Sequence, residues 1–173
     1  QNNISQLNQQ IEETYKAEAA RQQAMSKLKA EVARREQAQR ELEERGALLL
    51  SFIDSSPDLI YYRNEQGVFS GCNHAMEALV GLKERQLIGL RPEDVYSPEI
   101  AARVEETDQQ VFARNAPCTY EQWMVYPDGH SACFEMRKVP FFDARGKRLG
   151  VLGFGRDVTE RQRHQQQLEQ ASR

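Results

Sequence analysis

Among the side chains of this 173-residue sequence, the three cysteines carry the most reactive chemistry. A thiolate at Cys72, Cys118 or Cys133 could be oxidised, attack an electrophile or ligate a metal. Their number is odd and no two stand at C-x-x-C spacing, so neither a secreted disulfide framework nor a four-ligand zinc site is supported. A reducing intracellular compartment fits best. The histidines, His74, His130 and His164, are scattered without partners at ligand spacing, so surface positions are expected and no metal or haem. No nucleophile is paired with a base, which makes an enzyme the least expected class.

The elements that hold these thiols decide whether they react. Ala132 to Phe142 reads as a strand, on which Cys133 shares parity with Ser131, Glu135 and Arg137, opposite Phe134 and Met136. That parity places Cys133 on the more polar face, within reach of solvent, with Arg137 to favour the thiolate. Cys72 ends an earlier strand just before Asn73, a helix cap, and could gain from the helix N-terminus. The alternative for each is a free cysteine packed as a small hydrophobe. Tyr62, Trp123, Phe134 and Phe154 are candidates to line a small-molecule pocket, against the alternative of plain core.

The organising stretch is Trp123 to Glu160. Two strand-like segments, Ala132 to Phe142 and Leu149 to Phe154, flank the turn Asp143-Ala144-Arg145-Gly146 and read as a hairpin in a buried sheet. Gly155 to Glu160 then ends the sheet, and Asp157 with Glu160 has the spacing of a capping box for an outgoing helix, making Asp157, Thr159 and Glu160 the candidate signal exit.

Residues 1–53 read as one long helix with an interrupted heptad seam. Ile4, Ile11, Met25, Val32 and Ile53 fall at a positions and Leu7, Leu28, Leu42 and Leu49 at d, whereas Thr14, Glu18, Arg21, Arg35, Gln39 and Gly46 weaken the seam. The pattern predicts a parallel coiled-coil dimer; a solitary solvated helix is the alternative. Pro57 marks the boundary. Strands follow at Leu59 to Arg63 and Val68 to Cys72. Short helices begin at Asn73 and Glu84, and a longer one runs from Ser97 or Pro98 to Ala113. Cys118 to Tyr126 is the third strand. The formal net charge of -3 and mixed signs argue against an electrostatic grip on nucleic acid or anionic lipid. No apolar run approaches the ~20 residues needed to span a bilayer, so solubility is expected.

Two strands, a cluster of short helices, three strands and an outgoing helix is the element order of the PAS family, which the chain resembles. Tyr126-Pro127-Asp128-Gly129, Val139-Pro140 with Asp143 and Gly146, and Gly153-Phe154-Gly155-Arg156-Asp157-Val158-Thr159-Glu160-Arg161 carry the likeness. Ser56-Pro57-Asp58-Leu59, Phe69-Ser70-Gly71-Cys72-Asn73, Thr119-Tyr120-Glu121-Gln122-Trp123 and Ala132-Cys133-Phe134-Glu135 resemble, more closely, the linker and PAS region of membrane-anchored redox-control sensor histidine kinases.

The resemblance implies an α+β fold with a five-stranded antiparallel sheet in the order 2-1-5-4-3. It also implies three segments: a coiled-coil linker at 1–53, a PAS sensor domain at 54–157 and an outgoing signalling helix at 158–173. By the same resemblance Cys72 and Cys133 are redox-sensing thiols and no cofactor is held; Cys118 departs from the family pattern and is an extra thiol. The light-sensing flavin motif is not matched around Cys72. The parent protein would be an ATP-dependent histidine kinase on the cytoplasmic side of the inner membrane. Membrane quinones would be its oxidants, and a response regulator would be reached through kinase domains. This stretch lacks an H-E-L-R-T-P-like phosphoacceptor box, so it is expected to have no kinase activity. The function that follows is a redox-sensing, signal-transmitting homodimeric module. The alternatives are a PAS domain binding a small metabolite and a purely structural dimerisation segment.

Overall fold

The computed structural model describes residues 1–173. The chain forms two compact units, Gln1–Leu50 and Ser51–Arg173. The first is the body of helix α1 (Asn2–Ser55), whose last residues group with the second unit. Along α1, pairs one turn apart support the helix, among them Arg21–Glu18 at 2.8 Å and Arg35–Glu31 at 3.2 Å. Such pairs give only ~0.3–0.5 kcal/mol each. No residue of α1 is buried, and the seam residues Ile4, Leu7, Ile11, Met25, Leu28, Val32, Leu42 and Leu49 are all exposed.

The second unit is built on a five-stranded antiparallel sheet in the order β2-β1-β5-β4-β3, as the resemblance implied. The strands are β1 (Leu59–Asn64), β2 (Phe69–Cys72), β3 (Cys118–Val125), β4 (Ser131–Phe142) and β5 (Arg148–Asp157). Between β2 and β3 lie α2 (His74–Val80), α3 (Glu84–Leu87), α4 (Pro92–Val95) and α5 (Pro98–Arg114), and the last strand leads into α6 (Thr159–Ala171). Each boundary has a local cause. The Asn73 side chain accepts the Met76 N–H to start α2, and Gly81 ends it at φ 73°, a left-handed conformation that costs glycine little. Pro98 opens α5 behind Ser97, and Asn115 closes it at φ 49°. One expectation was too short: β5 continues through Gly155 to Asp157, because these residues pair with Met136 to Phe134 of β4.

Period-two burial gives the sheet one apolar face. Leu59, Tyr61, Phe69, Met124, Phe134 and Met136 point inward and meet Met76, Leu79 and Leu87 from the short helices. Each such side chain contributes ~1.5–3 kcal/mol on burial. Gly153 is required beneath Tyr61, its cross-strand partner: a Cβ there would lie 2.2 Å from the ring. Asn73 does more than cap. Its Oδ1 accepts the N–H groups of Ile60 and Met76, while its amide donates to the carbonyls of Ile53 and Asp58 at 2.9 Å. One buried amide thus ties the end of α1, the start of β1 and α2 together.

Candidate functional site

Cys133 lies on the strand face its parity predicts, yet it is only 1% exposed although Ser131 and Arg137 on the same face are open to solvent. The expectation that it is reachable is therefore corrected. The chain returns over it: the Cys133 carbonyl accepts the Val158 N–H at 2.8 Å, its own N–H donates to Thr159 Oγ1 at 2.9 Å, and Trp123 stands opposite on β3. Burial pushes the thiol up, Glu121 and Asp157 add to that, and Arg161 opposes it. Arg137 does not figure among the charges that act on it.

Cys72 is also buried, and its thiol is pushed up to about 12, first by burial and then by Glu84, Glu77 and Asp54. The helix N-terminus was expected to favour its thiolate; the surrounding carboxylates and burial outweigh it. Cys118 is the partly exposed thiol, 3.5 Å from Gln110 Oε1. The strand order sets Cys72 and Cys133 three spacings apart, ~14 Å, beyond the ~7 Å Cα separation of a disulfide.

At the exit, Asp157 does not make the predicted capping box. Val158 occupies the cap position without a side-chain bond. Asp157 Oδ1 instead accepts the N–H of Thr159, 2.9 Å away, and its hydroxyl, an Asx-type turn that aims α6 from one residue earlier. Thr159 is thus the joint between Asp157 and Cys133, whereas Glu160 is exposed and makes no reciprocal cap. The first turn of α6 is further held by Arg161, which reaches Glu121 at 3.0 Å and Glu135 at 3.4 Å, and by Gln162 on Glu121.

The four aromatic residues do not form one pocket. Phe134 is in the core, whereas Tyr62, Trp123 and Phe154 are about 36–40% exposed on the outer sheet face. His74, His130 and His164 are all exposed, and His130 stacks on Tyr126 with ring centroids 4.2 Å apart.

What the sequence reading missed is an ion cluster inside the core. Arg63 and Lys138 are both 0% exposed, and both bind Asp108 of α5. Arg63 donates through Nε at 3.0 Å and Nη2 at 2.7 Å to the two carboxylate oxygens. Lys138 Nζ donates to Asp108 Oδ1 and Thr107 Oγ1 at 2.7 Å and to the Val104 carbonyl at 3.1 Å. Burial holds Lys138 down at about 8, against the pull of Asp108, and the Arg63 charge adds to the depression. For Arg63 burial also opposes the charge, but Asp108 and Tyr61 together outweigh it and its pKa rises. The signal was present: Arg63 shares parity with Leu59 and Tyr61, Lys138 with Phe134 and Met136, and Asp108 stands one helical turn from Val104 and Val111.

Comparison with known proteins places this geometry. The family model described as PAS fold matches residues 53–163. The chain is 57% identical over 171 residues to the aerobic respiration control sensor protein ArcB of Escherichia coli K12, covering 99% of this chain and 22% of that protein. It is 31% identical over 110 residues to the methanogenesis regulatory histidine kinase FilI of Methanothrix harundinacea, covering 64% of this chain and 12% of that protein. The chain thus spans about a fifth or less of the length of these relatives. Among solved structures, a PAS domain from Colwellia psychrerythraea superposes with a TM-score of 0.56 at 25% identity, covering 69% of this chain and 98% of that one.

Proposed function

The chain belongs to the PAS family, and from that premise we propose that it is the redox-sensing, signal-transmitting module of a two-component sensor histidine kinase. The observation that carries this reading is the similarity to an aerobic respiration control sensor protein, which runs through α1 and the PAS unit alike. In this reading two chains pair along the heptad seam of α1, whose apolar residues have no cover within their own chain. The parent protein sits at the inner membrane, takes oxidising equivalents from respiratory quinones and passes phosphoryl groups to a response regulator through its kinase domains. No helix of this stretch is long and apolar enough to cross a membrane.

Cys72 and Cys133 are the redox thiols of the proposal, and their burial sets its mechanism. At rest both are protected, so oxidation follows an opening of the fold. Releasing the Val158–Thr159 turn uncovers Cys133 and frees the first turn of α6 in the same motion. Two thiols from paired chains then give two protons and two electrons to a quinone, which leaves as hydroquinone while an S–S bond forms between chains. Such a bond traps α6 in its released position and thereby changes the attached kinase. Cys118, already partly exposed, is the competing site.

The test is oxidation with a soluble quinone, followed by non-reducing electrophoresis and peptide mapping of the wild type and of Cys72→Ala, Cys118→Ala and Cys133→Ala. Loss of the covalent dimer in Cys133→Ala supports the reading. A dimer that persists without Cys72 and Cys133 transfers the role to Cys118, and no covalent dimer in any variant leaves the thiols as packing residues.

A further inference from the structure

The antiparallel register of β3 and β4 sets Glu121 directly opposite Glu135 on the outer face of the sheet. Like charges in that position destabilise a strand pair, because their Cβ atoms stand only ~5 Å apart. Neighbouring cations on the sheet are directed elsewhere. Arg137, the next residue of β4 on that face, stands opposite Thr119, and Arg156, opposite Glu135 on β5, has its Nε 3.9 Å from Asp58. Both glutamates form their ion pairs with α6 instead. One atom, Arg161 Nη2, donates to Glu121 Oε1 at 3.0 Å and to Glu135 Oε2 at 3.4 Å, and Gln162 takes the other oxygen of Glu121.

The adjacent rung on the same face pairs Trp123 with Cys133. The cover over Cys133 therefore has two fastenings: its bonds to Val158 and Thr159, and, one rung along the strands, Arg161. The two differ in kind. Arg161, Glu121 and Glu135 are about half open to solvent, so salt screens their attraction, whereas the bonds to Val158 and Thr159 join uncharged groups.

We propose that Arg161 is an ionic latch on the cover of Cys133: the like-charged Glu121–Glu135 pair holds the start of α6 on the sheet through this one guanidinium, and screening or removing it opens the thiol. The proposal rests on the reading that Cys133 is reached by release of the first turn of α6, and it makes ionic strength a second input to that release. Repulsion between the two glutamates is present whether α6 is docked or free. Salt therefore shifts the balance through the two attractions to Arg161 alone.

The test is N-ethylmaleimide alkylation of the folded 173-residue chain, followed at each cysteine by peptide mass spectrometry. Arg161→Gln should raise the Cys133 rate roughly three- to fivefold, the weight of two exposed ion pairs, and Arg161→Lys should reverse most of that rise. Arg161 draws the Cys133 thiol toward ionisation, so loss of its charge alone would slow alkylation; acceleration therefore reports opening. Raising salt from about 0.05 M to about 0.5 M should accelerate Cys133 in the wild type and not in Arg161→Gln. Glu135→Gln should accelerate it in the wild type and add nothing in Arg161→Gln. Cys72, on the edge strand β2 far from α6, is the internal control and should keep its rate. An unchanged Cys133 rate in Arg161→Gln, a salt effect of equal size in both proteins, or a parallel rise at Cys72 overturns the proposal. Alkylation reads access and not oxidation. A gated thiol that no quinone oxidises refutes the redox reading alone, and an ungated thiol that is oxidised refutes the latch alone.

Discussion

Replacing Asp108 by Asn and, separately, Lys138 by Met should have very different effects, although both break the same 2.7 Å contact. Asp108→Asn leaves two buried cations without a counter-charge, which by analogy with broken buried pairs costs ~3–5 kcal/mol. Lys138→Met removes a charge that the fold already disfavours. The shift from the ordinary 10.5 to about 8 corresponds to ~3 kcal/mol of unfavourable surroundings for the ammonium. That net depression already includes the bond to Asp108, so what stands against the relief is the loss of the hydrogen bonds to Thr107 Oγ1 and the Val104 carbonyl, at ~1 kcal/mol net each. The two effects nearly cancel, so Lys138→Met should lie within ~1.5 kcal/mol of the wild type, with the Arg63–Asp108 pair intact.

The pH dependence provides a second reading of the same residue. Because its folded pKa is lowered, the unfolded chain holds a proton that the folded chain has released between about 8 and 10.5. Stability from this residue is therefore lowest below pH 8 and rises through that window. Relative to Lys138→Met, the wild type should gain ~1.4 kcal/mol between pH 7 and pH 9, other titrating groups being shared by both proteins. Urea unfolding at the two pH values measures both quantities. A Lys138→Met variant as damaged as Asp108→Asn, or a wild-type advantage that shrinks with rising pH, would refute the reasoning.

Sedimentation of the full chain and of a variant lacking residues 1–44 should show a dimer and a largely monomeric, folded domain respectively; a monomeric full chain at high concentration refutes the seam. Asp157→Ala removes the acceptor of the Thr159 N–H and should cost ~1 kcal/mol while increasing hydrogen exchange in the first turn of α6 and at the Cys133 amide before the rest of the sheet. Unchanged exchange there would show that the joint is held elsewhere. Gly153→Ala places a Cβ 2.2 Å from the Tyr61 ring and should cost ~1–3 kcal/mol in urea unfolding; a neutral effect would mean that the β1–β5 pair adjusts freely.

Most of the element order was legible in the sequence because its causes are local. Asn73 and Gly81 bracket α2, Ser97-Pro98 and Asn115 bracket α5, and period-two alternation marks the strands wherever one face is buried. The same alternation located Cys133 correctly on its face. It could not say that this face is covered at that point, since the cover arrives from residues 158 and 159, 25 and more positions along the chain. Asp157 was legible as a helix starter but not in its geometry, because β5 pairing continues through it and shifts the cap to Val158.

The ion cluster shows most clearly what only the tertiary structure decides. Parity points Arg63 and Lys138 inward, which local sequence already contains. That both meet one carboxylate depends on β5 lying between β1 and β4, and on Gly153, which pairs with Tyr61 on one side and Lys138 on the other. It depends also on α5 crossing that face with Asp108 toward the sheet. Side-chain direction is set by neighbours one or two positions away in sequence, whereas counter-charge, burial and the partners of a donor are set by whichever segments the fold brings alongside. Hence the sequence reading could name the strands and the thiols, and only the packed structure could show which charges share a partner and which thiols are covered.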